Sequence, residues 1–441
     1  MKFLVKHCRK TVRSLRASGR GLLVPVALGL LLALISPRPL GAQTLDRIER
    51  ERASQMLIML KDDIKKNYYD TNYHGVDLDA RFEAAQQKLK QATSLGQAFG
   101  IVAQALLDFN DSHTFFIPPA RPGRVEYGWE MQMIGDKCYV SKVKPKSDAE
   151  KQGLKPGDAV LSVEGFKPTR KEFWKLGYYY NTLSPRRGLR VVVQSPGGGE
   201  PRQLDVAAKV TEGNILQDNI IDRERPDHHR FWQEQGVTIW KMGGFDLTEA
   251  EIDTRMERVR AARALVLDLR GNGGGYVITL QRLIAHFFDR DVKIGEVKER
   301  KEVKLFLAKK FTSTPFAGKV IVLLDSESGS AAELFGRVMQ LEKRGVVIGD
   351  QSAGAVMRSR TYGHDVGGVN LVAFGASITN ADVIMTDGKS LERVGVTPDE
   401  LLLPTGEDLA ARRDPVLARA LELAGVKVTP EKAGTFFPPQ W

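Results

Sequence analysis

The chain predicts a layered α/β protein, and three stretches carry that prediction. Val320-Ile321-Val322-Leu323-Leu324 is an unbroken apolar run; the polar turn Asp325 to Gly329 follows, then Ala331 onward with apolar residues at Leu334, Phe335, Val338, Met339 and Leu341. Ala264 to Leu269 repeats this order, with the turn Arg270 to Gly275 and helical spacing over Tyr276 to Phe288. Val237 to Trp240 is strand-like and precedes a helical stretch over Glu249 to Ala262. Short runs apolar at every position read as strands covered on both faces, and spacing at three and four residues reads as amphipathic helix. Strands alternating with such helices make an α/β core.

The chain has 441 residues, 42% hydrophobic and 27% charged, which allows two or three globular domains. The net charge of +11 is concentrated at one end: residues 1–42 hold eight basic side chains and no acidic one, and without them the balance is +3. Such a balance gives no reason to invoke nucleic acid. The basic start, the apolar run Gly21 to Ile35, the break at Ser36-Pro37 and the small residues Gly41-Ala42 read as an export signal over 1–42. An uncleaved anchor is the alternative, and it would be the chain's one tie to a membrane. After cleavage Cys138 would stand alone, so no internal disulfide is expected. No Cys/His spacing suggests zinc and no cofactor is implied; the adjacent His228-His229 lie in a charged stretch and read as solvated.

The remaining elements follow in order. Residues 43–120 are expected to form a helical cap, with helical spacing over Arg52 to Lys66, Leu78 to Ala92 and Leu95 to Phe109. The cap ends in Asp111-Ser112-His113-Thr114, just before an expected strand. A lone histidine there is ordinarily structural. Residues 121–212 change to strand patterning: Trp129 to Met133, Cys138 to Val143, and the hairpin Leu189 to Gln194 with Gln203 to Val206. Within them Gly153-Leu154-Lys155-Pro156-Gly157-Asp158, after a short helix and before an apolar strand, resembles the PDZ domain closely. The resemblance implies peptide binding by strand addition at Trp129, Met131 and Met133. The usual glycine-rich carboxylate loop is replaced here by Val125-Glu126-Tyr127-Gly128. Residues 213–410 are the expected α/β core. Residues 411–441 are a tail, helical at Asp414 to Ala424 and frayed over Phe436 to Trp441.

Chemistry concentrates at two turns. Ser330 sits where a buried strand hands over to a helix, where orphan N–H groups and the helix dipole favour negative charge. It either caps the helix or serves as a nucleophile with an oxyanion donor beside it. Arg270 to Gly275 fails as a phosphate loop, because Tyr276 stands where the last glycine should be and no Gly-Lys-Ser/Thr follows. Its glycines instead form a nest of N–H groups.

Leu267 to Gly275, Ser328-Gly329-Ser330-Ala331-Ala332-Glu333, Val347 to Gly354 and Glu392-Arg393-Val394-Gly395-Val396-Thr397-Pro398-Asp399 occur in this order. Together they resemble the C-terminal processing, or tail-specific, serine proteases over about Thr44 to Pro404. The resemblance implies a ClpP/crotonase-like core with an inserted PDZ domain and an N-terminal helical cap. It also implies hydrolysis of peptides or unfolded proteins with Ser330 as nucleophile. The processing branch of that family carries a lysine base where this chain has Ala355. The tricorn-like branch uses a Ser-His pair and a glutamate, which Ser112-His113 and Glu392 resemble. Carried over, His113 is the base and Glu392 orients it through Ser112, with Ala331, Gly273 and Gly274 as the oxyanion hole. His364 is the competing base. A catalytically inactive, peptide-binding scaffold is the reading from another class.

Overall fold

A computed structural model describes residues 45–121, 123–212, 228–368 and 370–438. The expected export segment therefore lies outside the described residues. Among those described, no helix is long and apolar enough to cross a membrane.

A six-stranded sheet forms the centre, in the order Glu400–Leu401, Val346–Gly349, Lys319–Leu324, Ala264–Asp268, Val237–Met242, His229–Glu234. Its neighbours run parallel except at the His229–Glu234 edge. Successive residues of a strand face opposite sides, so a sheet covered twice needs apolar residues throughout. On one face Leu265, Leu267, Val320, Val322 and Leu324 pack with the helices Glu249–Arg260, Val277–Ala285 and Ala331–Leu341. On the other, Val266, Ile321 and Leu323 meet Val416, Leu417, Leu421 and Phe436 of the C-terminal segment. Each fully buried side chain of this size stabilises by about 1.5–3 kcal/mol. The Phe436 ring stacks on Trp232 at 4.7 Å and is buried. That corrects the expectation of fraying from this residue, because the apolar lower face of the sheet needed a cover.

A second sheet has the order Phe115–Ile117, Val372–Met385, Val292–Glu299, Val303–Ala308, with Arg358–Val366 also paired to Val372–Met385. The helices Arg47–Asn67, Leu78–Lys90 and Leu95–Leu107 share one core with this sheet: Met56, Leu60, Phe99 and Leu106 pack with Phe116, Phe374 and Ile378. Side-chain caps start each helix, from Asp46, Asp77 and Ser94.

A third, antiparallel sheet runs Trp129–Ile134, Lys137–Val143, Ala159–Val163, Gly188–Gln194, Arg202–Ala207, with the helices Asp148–Lys151 and Phe173–Tyr178 beside it. Gly157, at φ +90°, lets its turn lie against Gly406–Ala410; a Cβ there would stand 2.2 Å from Gly406 O. Arg170 binds Asp350 at 3.0 Å, Gln132 binds Asp325 at 2.6 Å, and the Gly135 N–H donates to Asp350 at 2.9 Å. These bonds seat the third sheet on the turns that follow the central strands.

Candidate active site

Ser330 occupies the elbow between Lys319–Leu324 and Ala331–Leu341 with φ 55° and ψ −119°. A non-glycine residue in that region stores about 1–3 kcal/mol of strain. Glu333, one turn into the helix, holds the elbow from below. Its Oε2 accepts the N–H of Ser330 at 2.9 Å and of Ala355 at 2.9 Å, and its Oε1 accepts Gly354 N–H at 2.7 Å and Ser352 hydroxyl at 2.6 Å. Burial of Glu333 pushes its carboxyl above the usual carboxylate range, while these four donors oppose the shift. In the sequence Glu333 closes the motif Ser328 to Glu333. Its signal was a glutamate three residues after a serine at a helix start.

The glycine nest lies against the elbow. A Cβ on Gly274 would stand 2.6 Å from Ser330 Cβ and 2.9 Å from Ala331 N, so only glycine fits. The Gly274 N–H itself donates to Asn272 Oδ1 at 2.9 Å. That removes Gly274 from the donors expected of it and gives it a spatial role. Gly273 and Ala331 keep N–H groups without an acceptor among the described residues.

The second half of the site joins Ser112 and Glu392, which are 280 residues apart in sequence. Asp111 Oδ1 accepts the N–H groups of His113 and Thr114, at 2.9 and 2.6 Å, and the Thr379 hydroxyl at 2.7 Å. Its Oδ2 accepts Tyr68 hydroxyl at 2.8 Å. This buried carboxylate, another residue the sequence did not single out, folds the turn that presents Ser112 and His113. Glu392 then accepts the Ser112 N–H at 2.7 Å on Oε1 and the Ser112 hydroxyl at 2.8 Å on Oε2. Ser112 Oγ lies 2.6 Å from His113 Nδ1.

The hydroxyl has one hydrogen, and Glu392 takes it. His113 Nδ1 must therefore be the donor to Ser112 Oγ, which leaves Nε2 with its lone pair. Burial pushes the His113 imidazole down to about 4, with Asp111 opposing. Burial pushes Glu392 up to about 7, with the Ser112 hydroxyl opposing. A neutral imidazole of fixed tautomer, aimed by a hydrogen-bonded carboxylate, can accept a proton on Nε2.

The turn Ser352 to Val356 joins the two halves. It binds Glu333 through Gly354 and Ala355, and Glu392 through the Val356 N–H at 3.1 Å. Ala355 thus occupies a structural position there. His364 stands elsewhere, 2.5 Å from Asp63 and against the Phe374 ring. Trp129 and Met133 are buried inside the third sheet's own core, whereas Met131 is half-buried. Trp129–Ile134 is an edge strand of that sheet. The expectation of a solvated histidine pair is corrected for one member: His228 is exposed, but His229 is buried, with Nε2 3.1 Å from Asp246.

Residues 236–402 match the profile of peptidase family S41. The chain is 26% identical over 230 residues to the carboxy-terminal processing protease CtpB of Bacillus subtilis, covering 52% of this chain and 46% of that one. It is 24% identical over 306 residues to the tail-specific protease of Haemophilus influenzae, covering 64% of this chain and 42% of that one. The chain thus spans about half the length of the curated relatives it matches. Its fold is similar to the crystal structure of mature CPAF, with a TM-score of 0.63 at 15% identity over 82% of this chain and 94% of that one. Residues 236–402, less than half of the chain, are thus the part that is similar to peptidase family S41.

Proposed function

We propose that the chain is an exported serine endopeptidase that cleaves peptides or unfolded proteins. In this reading Ser330 attacks the scissile carbonyl and His113 Nε2 takes its proton and returns it to the leaving amine. Glu392 holds His113 through Ser112, and Gly273 and Ala331 stabilise the oxyanion. The observation that carries the reading is the hydrogen-bonded chain Glu392–Ser112–His113, which fixes a basic Nε2 without any lysine at position 355. The family match and the relatives named as processing and tail-specific proteases support the same class.

The core around the six-stranded sheet is read as ClpP/crotonase-like, residues 121–212 as a PDZ domain that recruits substrate at its Trp129–Ile134 edge, and 1–42 as the export segment. N-terminal sequencing of the mature protein tests the last point: a start near Gln43 agrees, and a start at Met1 with membrane sedimentation means an anchor. The direct test of the activity is labelling by a serine-directed fluorophosphonate. Wild-type chain should be labelled at Ser330 and a Ser330→Ala variant should not. A wild-type chain left unlabelled, with no hydrolysis of unfolded protein, would favour the inactive peptide-binding scaffold.

A further inference from the structure

We propose that His228, His229 and Asp246 form a binding site for a divalent transition-metal ion of the zinc type, outside the Ser330 and His113 constellation. The three donor groups converge within 4.8 Å of one another. His228 Nε2 lies 3.2 Å from Asp246 Oδ2, and His229 Nε2 lies 3.1 Å from Oδ1. Nitrogen and oxygen ligands at about 2.0–2.1 Å from a tetrahedral ion stand roughly 3.3 Å apart from each other. The observed separations are close to that value, with each imidazole beside a different oxygen of the one carboxylate.

Two neighbouring residues of a regular strand would point to opposite faces. These two do not, because the strand begins at His229 and His228 lies outside its pleat. Their ring centroids are 4.7 Å apart and their planes differ by 32°. The space for this comes from Gly243: a Cβ there would stand 2.4 Å from His228 Cδ2 and 2.9 Å from His228 O. A glycine thus opens the room in which the second imidazole joins the first.

The environment also suits an ion. The His229 side chain is 2% exposed, Asp246 19% and His228 43%, so the site is closed behind and open in front, where a water ligand would complete it. Two imidazoles and one carboxylate are a donor set that zinc, cobalt or nickel prefers over magnesium or calcium. The site also connects to the glycine nest. Asp246 follows Phe245, whose N–H donates to Gly274 O at 2.9 Å and whose carbonyl accepts Tyr276 N–H at 2.5 Å. An ion held by Asp246 would steady the segment on which that nest rests.

The test uses the full chain, dialysed against EDTA and titrated with zinc by calorimetry, then with cobalt in a visible absorption measurement. We expect saturable binding of one ion per chain, the ligand-field bands of a tetrahedral cobalt site, and slower amide exchange at Phe245 with zinc present. His228→Ala, at the exposed edge, should weaken binding by on the order of a hundredfold while leaving the metal-free melting temperature unchanged. Asp246→Asn should remove the cobalt bands. Absence of saturable zinc binding, or unchanged affinity and cobalt bands in His228→Ala, would overturn the site and leave a hydrogen-bonded trio.

Discussion

Glu392 grips Ser112 twice, by its backbone N–H at 2.7 Å and by its hydroxyl at 2.8 Å. The double contact fixes where the hydroxyl hydrogen points and hence which imidazole nitrogen of His113 is basic. Glu392→Gln presents one amide nitrogen where two acceptors stood, and the relay loses its polarity. We expect kcat on an unfolded protein to fall by about 10²–10⁴-fold with KM nearly unchanged. An equal loss in KM and none in kcat would move Glu392 out of the relay.

The pH profile should carry the mark of Glu392. Its carboxyl sits up at about 7, so kcat/KM should fall as pH drops through about 7 and the relay carboxylate protonates. In Glu392→Gln that limb should vanish, leaving the weaker descent of His113 near 4. The stability signs are opposite for the two groups. Glu392, raised in the folded state, contributes stability below its unfolded value that is lost as pH rises toward about 7. His113, lowered in the folded state, contributes stability at neutral pH that is lost as pH falls toward about 4. Melting curves of each single variant across pH 4–8 separate them.

The two candidate bases make different predictions. His113→Ala should lower kcat by orders of magnitude with the fold retained. His364→Ala should leave kcat within about twofold and cost roughly 1 kcal/mol of stability, since His364 pairs with Asp63 of the helix Arg47–Asn67. The reverse pattern in hydrolysis assays would transfer the role to His364.

Glu333 is the structural hinge of the elbow. Glu333→Ala strands four donors, those of Ser330, Ser352, Gly354 and Ala355, in a buried place. A stability loss of at least about 3 kcal/mol is expected from denaturant titration, with Glu333→Gln recovering part of it. A loss below about 1 kcal/mol would mean that water replaces the carboxylate at no great cost.

The third sheet is bound to the core through Arg170, Gln132 and Gly135. Replacing residues 124–210 by a short linker should reduce kcat/KM far more for a long unfolded protein than for a very short peptide. Equal loss on both would assign the sheet to holding the two halves of the site together. No loss on either would dismiss recruitment.

The sequence alone determined the local parts. The apolar runs Ala264 to Leu267 and Val320 to Leu324 read as strands buried on both faces, and the helices that follow them were legible from their spacing. Ser330 was placed at an elbow by the polar turn before an amphipathic helix. What sequence could not determine was long-range closure. The pairing of Val292–Glu299 and Val372–Met385 brings together segments about 80 residues apart, and neither strand shows a strong local signal, because their partners supply the burial. Ser112, His113 and Glu392 were proposed together by resemblance, but only the fold brings 112 and 392 within hydrogen-bond reach. Glu333, Asp111 and Asp246 look like ordinary surface acids in a string of letters. Tertiary structure buries or encloses them, and a carboxylate taken from water must gather donors or cations, which is why these three became organising groups.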